Sequence, residues 1–383
     1  MYFVHPQIQL NIKNFKLILS NFLTSPKLKE IEKRLSLYFP QKQIIFTDMG
    51  RTAFKLIVEQ LNLQNSQILM PAYICDIFYP VLKQYNLQPI FLDIDLHTFH
   101  IKESEIIQKI TPQTKSILVC HTYGLPLNVE RIKEIIKVKG LEFGHPIYII
   151  EDCAHSFGAN TGNSGDVAFF SLYKQFPSFR GGMVVCPKDW RVQLLKTSFN
   201  FRDFISFLNC FSLFAFIFKK FGQNIAPKIL RKEKLFNNGL GKINRISLNF
   251  FFNFLEDFEQ SLEKRKEVAL FFQEELRKLG FEVQSSENNV FCYLSALVPK
   301  SLSEKRDEIV RNLRKYKVFC SRIWHTPIVL NKEAQKEYKI DISCFPNTID
   351  SAKRIINFPL QNYYTQGDIQ NMILLLQKVI KTL

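Results

Sequence analysis

Between about residue 44 and residue 186 the chain alternates short β-rich runs with helix-period stretches. This alternation restricts the fold more than any other feature of the sequence. The runs are IIF at 44–46, QILM at 67–70, PIFLDID at 89–95, KSILVCH at 115–121, PIYIIED at 146–152 and DVAFFS at 166–171. Between them, stretches such as RTAFKLIVEQL (51–61) and ERIKEIIKVKG (130–140) repeat apolar residues at helical spacing. Parallel neighbours need a crossover connection, and a helix both supplies it and covers the sheet. The rhythm therefore predicts an α/β large domain, a mostly parallel sheet sandwiched by helices. In such sheets ligands gather at the carboxyl ends of the strands, so the residues just beyond each run become the candidates for chemistry.

After residue 187 the texture changes to long helical patterns. FFNFLEDFEQSLEKRKEVALFFQEELRKL (251–279) keeps helical spacing over many turns with no Gly or Pro, and predicts one connecting helix. Beyond Gly280 a shorter mixed stretch ends in DIQNMILLLQKVIKTL, which predicts a smaller C-terminal α/β domain. The expected organisation is an N-terminal segment (1–43), a large domain (44–250) with an apolar and basic insertion near 204–245, and a connecting helix with the small domain (251–383).

Composition excludes several classes. With 46% hydrophobic and 22% charged residues, most of the chain is too apolar to be disordered. The 51 Lys and Arg exceed the 35 Asp and Glu by 16, which brings an anionic partner into consideration, a nucleotide, a phospholipid or a nucleic acid, and charge alone does not choose among them. The eight Cys form no CxxC pair, which argues against a zinc ribbon, a bound metal or a disulfide framework and for a reducing cytoplasm. MYFVHPQIQL at the N-terminus lacks the basic leader, apolar core and cleavage site of a secretory signal.

The densest chemistry lies at 147–186, IYIIEDCAHSFGANTGNSGDVAFFSLYKQFPSFRGGMVVC. One apolar run ends in Glu151 and Asp152, a Gly-Asp turn leads to a second run ending in Ser171, and Lys174 follows ahead of Gly181 and Gly182. An acid at a strand end, a hydroxyl and an amine held close together meet the needs of pyridoxal 5'-phosphate (PLP). The acid keeps the pyridine nitrogen protonated so that the ring accepts electrons, the hydroxyl binds phosphate, and the lysine forms the Schiff base.

EDCAHSFGA (151–159) and FFSLYKQFPSFRGG (169–182) resemble the cofactor stretches of the DegT/StrS sugar aminotransferases, PLP-dependent transferases of fold type I. MGRTAF (49–54), MPAYICD (70–76), CHTYGLP (120–126) and RIINFPL (354–360) match further landmarks in the family order, over about residues 44–383. The resemblance implies Asp152 at the pyridine nitrogen, Ser171 at the phosphate and Lys174 as the Schiff-base lysine. It also implies Arg51 and Thr52 in the phosphate turn, at a helix start where free N–H groups and the helix dipole favour an anion. His155 stands where a glutamine commonly meets the cofactor's phenolic oxygen, Cys75 stands where an aromatic ring commonly stacks, and His121 is expected beside the cofactor. Tyr73, Arg180 and His325 are candidate substrate contacts. Ser171 and Lys174 are three positions apart, where the family usually has five.

The activity so implied is transfer of an amino group, from glutamate, to a nucleotide-linked keto sugar in glycan or secondary-metabolite biosynthesis, by a homodimer with no nucleic-acid partner. Desolvation is expected to lower the Lys174 pKa and favour the neutral amine that moves protons. Two alternatives stand beside it. A PLP-dependent sugar dehydratase of the same family carries histidine in place of the lysine, and Lys174 argues against it. The other is a PLP-binding or membrane-associated protein without turnover. That second alternative draws on FISFLNCFSLFAFIF (204–218), whose Ser206, Asn209 and Ser212 would share one narrow face of a single helix. Residues 219–245 follow with eight Lys or Arg and one Glu. An apolar helix beside basic charge suits an anionic membrane interface; the competing expectation is burial inside the protein or a dimer.

Overall fold

The computed structural model of the chain describes residues 1–221 and 239–383. After a two-residue strand β1 (Tyr2–Phe3), seven strands build the central sheet. They are β2 (Gln43–Thr47), β3 (Gln67–Pro71), β4 (Gln88–Leu92), β5 (Thr114–Cys120), β6 (Tyr148–Asp152), β7 (Val167–Ser171) and β8 (Gly182–Cys186). Their spatial order is β2-β8-β7-β6-β5-β3-β4. Only β8 is reversed, pairing antiparallel with both β2 and β7, while the remaining pairs are parallel. The βα rhythm does not announce β8, because it returns from β7 without a crossover helix.

The middle strands are buried on both faces, which is why they read as unbroken Val, Ile and Leu. Successive residues point to opposite sides. Leu118 and Cys120 enter one core with Ile68, Met70 and Ile150, whereas Ile117 and Val119 enter another with Leu69, Leu92 and Ile149. The crossover helix Val129–Phe143 turns Val129, Ile132 and Ile136 onto the second core. Asn128 caps its start by accepting from the Arg131 N–H, and Gly144, at φ 71°, ends it in the left-handed region that glycine enters without strain.

The predicted single helix over 251–279 is two helices, Arg245–Asn253 and Leu255–Lys278, divided at Phe254. The division has a packing reason. Ile246, Phe250 and Phe254 fill one cluster, whereas Leu248, Phe251, Leu255 and Phe258 fill another beneath the sheet. The longer helix leads into a three-stranded antiparallel sheet of β9 (Glu282–Val283), β10 (Leu294–Leu297) and β12 (Ile355–Phe358), covered by the helices Arg306–Lys315 and Gln366–Ile380. The strand β11 (Val318–Phe319) pairs in parallel with β1, so the first residues of the chain lie against this smaller unit.

FISFLNCFSLFAFIF is likewise not one helix. It spans Phe201–Leu208 and Ser212–Phe221, bent by 105° at the intervening turn. Asn209 caps the first helix and Ser212 opens the second, so Ser206, Asn209 and Ser212 share no common face. Phe207, Cys210, Phe211 and Ala215 are buried, and Phe204, Leu213, Phe214 and Ile217 are exposed. Among the described residues no single helix is long and apolar enough to cross a membrane. Of the basic cluster, Lys228, Arg231, Lys232 and Lys234 lie outside the described residues.

Candidate active site at the strand ends

A cavity of about 510 Å³ opens at the carboxyl ends of β6 and β7, within the size range of small-molecule sites. β6 ends in Asp152 and β7 in Ser171, and a short helical turn, Leu172–Lys174, carries the lysine to the rim. Arg51, Cys75, Asp152, His155, Ser171, Lys174 and Arg180 all line this one space.

The end of the cavity at the start of the helix Gly50–Gln60 is shaped by close approach. A Cβ added at Gly50, the first residue of the helix Gly50–Gln60, would lie 3.2 Å from Ser171 Cβ and 3.5 Å from its Oγ. The helix start and the serine hydroxyl therefore form one cradle that a side chain would fill. Gly182 is pressed onto the Met49 carbonyl and the Thr47 hydroxyl, and Gly181 has φ +136°, so the reversed strand β8 holds the helix start in place only with glycine at these positions. Beside the cradle, Arg180 Nε lies 2.8 Å from Asp203 Oδ1 and its Nη1 lies 3.8 Å from Asp48 Oδ2.

Asp152 is buried and accepts the Ala154 N–H at Oδ1 (3.0 Å). Burial lifts its carboxyl from 3.8 to about 6, against the Ala154 N–H and the Lys174 charge, which pull it down. A carboxylate so placed gains most from a cationic partner. His155 accepts the Tyr123 N–H at Nδ1 (3.3 Å), and burial and then Lys174 hold its imidazole well below its ordinary pKa. The neutral ring therefore carries its proton on Nε2, a buried donor with no partner among the described residues. The ring packs against Tyr123, Tyr293 and Trp324 with centroids 5.2–5.8 Å apart.

The lowered Lys174 pKa expected from desolvation is not the net outcome. Burial does oppose the ammonium, but charge on Tyr173, Tyr293, Cys75 and Cys292 outweighs it and raises the value. Phenols and thiols in general ionise only at alkaline pH, so near neutrality burial acts against the ammonium and the Asp152 carboxylate acts for it.

Four expected site residues do not line the cavity. His121 donates from Nε2 to Glu151 Oε2 (2.9 Å) and accepts the Leu127 N–H at Nδ1 (2.9 Å), so both ring nitrogens serve the interior. Tyr73 is fully buried, with its hydroxyl 2.9 Å from that of Tyr123. Thr52 gives its hydroxyl proton to Asp48 (2.6 Å), leaving only its backbone N–H for an anion. His325 turns Nδ1 to the Arg322 carbonyl at 2.7 Å. In their place come residues that no motif announced. His5 and Pro6 arrive from the N-terminal segment, Arg202, Asp203, Ser206 and Asn209 from the insertion, and Trp324, at φ 62°, from the smaller unit. The His5–Ile8 strap is tied to both sides, because Gln361 Nε2 donates to the His5 carbonyl (2.9 Å) and the Ile8 N–H to the Cys210 carbonyl (2.7 Å). The advance signal is a histidine and a proline between MYFV and QIQL, with no motif around them.

Comparisons with known proteins identify the family and the fold. The family model of the DegT/DnrJ/EryC1/StrS aminotransferases matches residues 9–377, a wider span than the motifs mark. A dTDP-4-amino-4,6-dideoxy-D-glucose transaminase of Shigella dysenteriae is 23% identical over 347 residues, covering 88% of this chain and 85% of that protein. A putative sugar aminotransferase from Streptococcus pneumoniae, solved in its PMP form, superposes with a TM-score of 0.77 at 18% identity over 99% of both chains. An Escherichia coli GDP-4-keto-6-deoxy-D-mannose-3-dehydratase with bound hydrated PLP gives 0.74 at 19% identity, over 98% of this chain and 100% of that one. The two structures show a shared fold.

Proposed function

The chain belongs to the DegT/DnrJ/EryC1/StrS aminotransferase family, a family of PLP-dependent enzymes, and on that premise we propose that it transfers an amino group from glutamate to a nucleotide-linked keto sugar. The observation that carries the reading is the convergence of Asp152, Ser171 and Lys174 with the unpartnered Nε2 donor of His155 in one cavity. When bound, PLP supplies an electron sink for bond breaking at the amino-bearing carbon.

The chain's own residues do the rest. Asp152 would hold a proton on the pyridine nitrogen by offering a buried carboxylate that burial lifts despite the Ala154 N–H and the Lys174 charge. The N–H groups at the start of Gly50–Gln60 and the Ser171 hydroxyl bind phosphate. His155 Nε2–H donates to the ring oxygen, and its neutral state keeps it a donor of one proton only. Lys174 Nζ would hold the cofactor covalently, and as a free amine it would move a proton at the reacting substrate carbon. Lys174 also separates this reading from the dehydratases, which hold histidine at that position. The active species is read as a homodimer, as the family resemblance implies.

The test is to load the purified protein with PLP, add glutamate and follow the absorbance of pyridoxamine phosphate. Nucleotide-linked 4-keto sugars are then added, and return of the PLP spectrum identifies the acceptor. A cofactor spectrum that stays unchanged with glutamate and every other amino donor tried contradicts the reading.

A further inference from the structure

The helix Ile12–Leu23 is apolar on both sides: Leu17, Ile18 and Phe22 pack inward, and a second apolar stripe is left to solvent. It buries Asn14 and Asn21 and exposes Ile12 (78%), Phe15 (64%), Leu19 (52%) and Leu23 (72%). At 100° per residue those four side chains fall within a stripe about 80° wide. Asn14 Nδ2 donates to the Gln9 carbonyl (2.7 Å), and Asn21 Oδ1 accepts from Asn253 Nδ2 while Asn21 Nδ2 has no partner among the described residues. The two amides sit on the packed side, with the apolar stripe left outward.

The bent pair Phe201–Leu208 and Ser212–Phe221 lies beside this helix. Phe22 meets Phe207 edge to face at 5.3 Å, and Leu17, Ile18 and Phe22 pack on the cluster that holds Phe207 and Phe211. The pair's outer side exposes Phe201, Phe204, Leu213, Phe214 and Ile217. Its one acidic residue, Asp203, is turned inward to Arg180. Nine exposed large apolar side chains on adjacent helices exceed the scattered hydrophobics of an ordinary surface.

Charge selects the occupant. Neither Ile12–Leu23 nor Ser212–Phe221 contains an acidic residue, Lys16 and Lys220 are exposed at the border of the apolar side chains, and the whole chain carries +16. Two copies meeting through this face would bring like charges together, whereas an anionic headgroup layer complements them. We propose that the helices Ile12–Leu23, Phe201–Leu208 and Ser212–Phe221 form a docking surface for an anionic lipid bilayer, with the apolar side chains entering the interface and the lysines meeting the headgroups. The same short helix that offers Phe201 and Phe204 outward lines the cavity with Arg202 and Asp203, so docking brings the bilayer to the far side of the active-site wall.

The experiment uses the PLP-loaded full chain, sedimented with phosphatidylcholine vesicles with and without phosphatidylglycerol, at low and high salt. The protein is expected to pellet with the anionic vesicles and to be released by salt. Phe15→Gln with Leu19→Gln should weaken binding by at least ~10-fold, and Lys16→Gln with Lys220→Gln by a few-fold, while the cofactor spectrum of each variant stays unchanged. Leu213→Gln with Ile217→Gln is the second apolar pair, should the first fold poorly. Protein that stays in the supernatant with both vesicle types overturns the proposal, as does binding indifferent to headgroup charge. A change of solution mass in the apolar variants without vesicle binding also overturns it, and assigns the face to contacts between copies.

Discussion

The floor and the wall of the active-site cavity are built in opposite ways. The floor takes Asp152, Ser171 and Lys174 from one short stretch, the ends of two adjacent parallel strands and the turn that follows. The wall takes His5, Asp203 and Trp324 from three segments far apart in the chain, joined by contacts such as Gln361 to the strap and Arg180 to Asp203. A floor of this kind is fixed by strand register and tolerates little change. A wall held by tertiary contacts sets access and fit, and its residues should matter less to the chemical step than to binding and stability.

The comparison breaks first, if it breaks at all, at Lys174. Lys174→Ala should lower the glutamate half-reaction by at least ~10⁴-fold and leave the circular dichroism spectrum of the native fold intact, since the side chain fills no core cluster. Retained single-turnover activity would move the chemistry off the floor.

Asp152→Asn should slow the same half-reaction by roughly 10²–10³-fold while raising the stability of the cofactor-free protein. The sign follows from its pKa, lifted from 3.8 to about 6. The native state holds that proton more tightly than the unfolded chain, so the contribution to stability is present at low pH and is lost as pH rises through about 6. Two pKa units correspond to about 3 kcal/mol. Urea unfolding of both proteins at pH 4 and pH 7 should show the variant gaining on the native protein only at the higher pH.

On the wall, Asp203→Ala leaves the Arg180 guanidinium without its nearest carboxylate and should cost roughly 3 kcal/mol of stability, read by urea unfolding, with a smaller effect on the half-reaction. His5→Ala should have the smallest effect, a few-fold rise in the KM for the acceptor with an unchanged donor half-reaction. Burial, with Lys219 and Lys174, pushes the His5 imidazole down to about 4, so this contribution should not vary between pH 6 and pH 8. A loss of the donor half-reaction in the His5 variant would place the wall in the chemistry and erase the contrast.

The same contrast explains what the sequence discloses. Strand ends, Gly spacing and the Asp152–Ser171–Lys174 order are local, and they mark the sheet and the floor. His121, Tyr73, Thr52 and His325 stand in or near motif positions, yet hydrogen bonds to Glu151, Tyr123, Asp48 and Arg322 turn them to other uses. Those partners are set by packing, which spacing does not report. The breaks at Phe254 and at residues 209–211 are hidden for a related reason. No Gly or Pro marks them, and each arises where neighbouring apolar side chains serve different cores, at Phe254 and between Phe211 and Ala215. The helix Ile12–Leu23 is apolar on both sides, and only its packing shows which stripe is outward.

Lys174 is the residue proposed to take PLP at this floor. Protein incubated with PLP, reduced with borohydride, digested and mapped by mass spectrometry should carry the pyridoxyl group on the peptide containing Lys174 and on no other lysine in stoichiometric amount. A stoichiometric label on any other lysine, or none on Lys174, would contradict it.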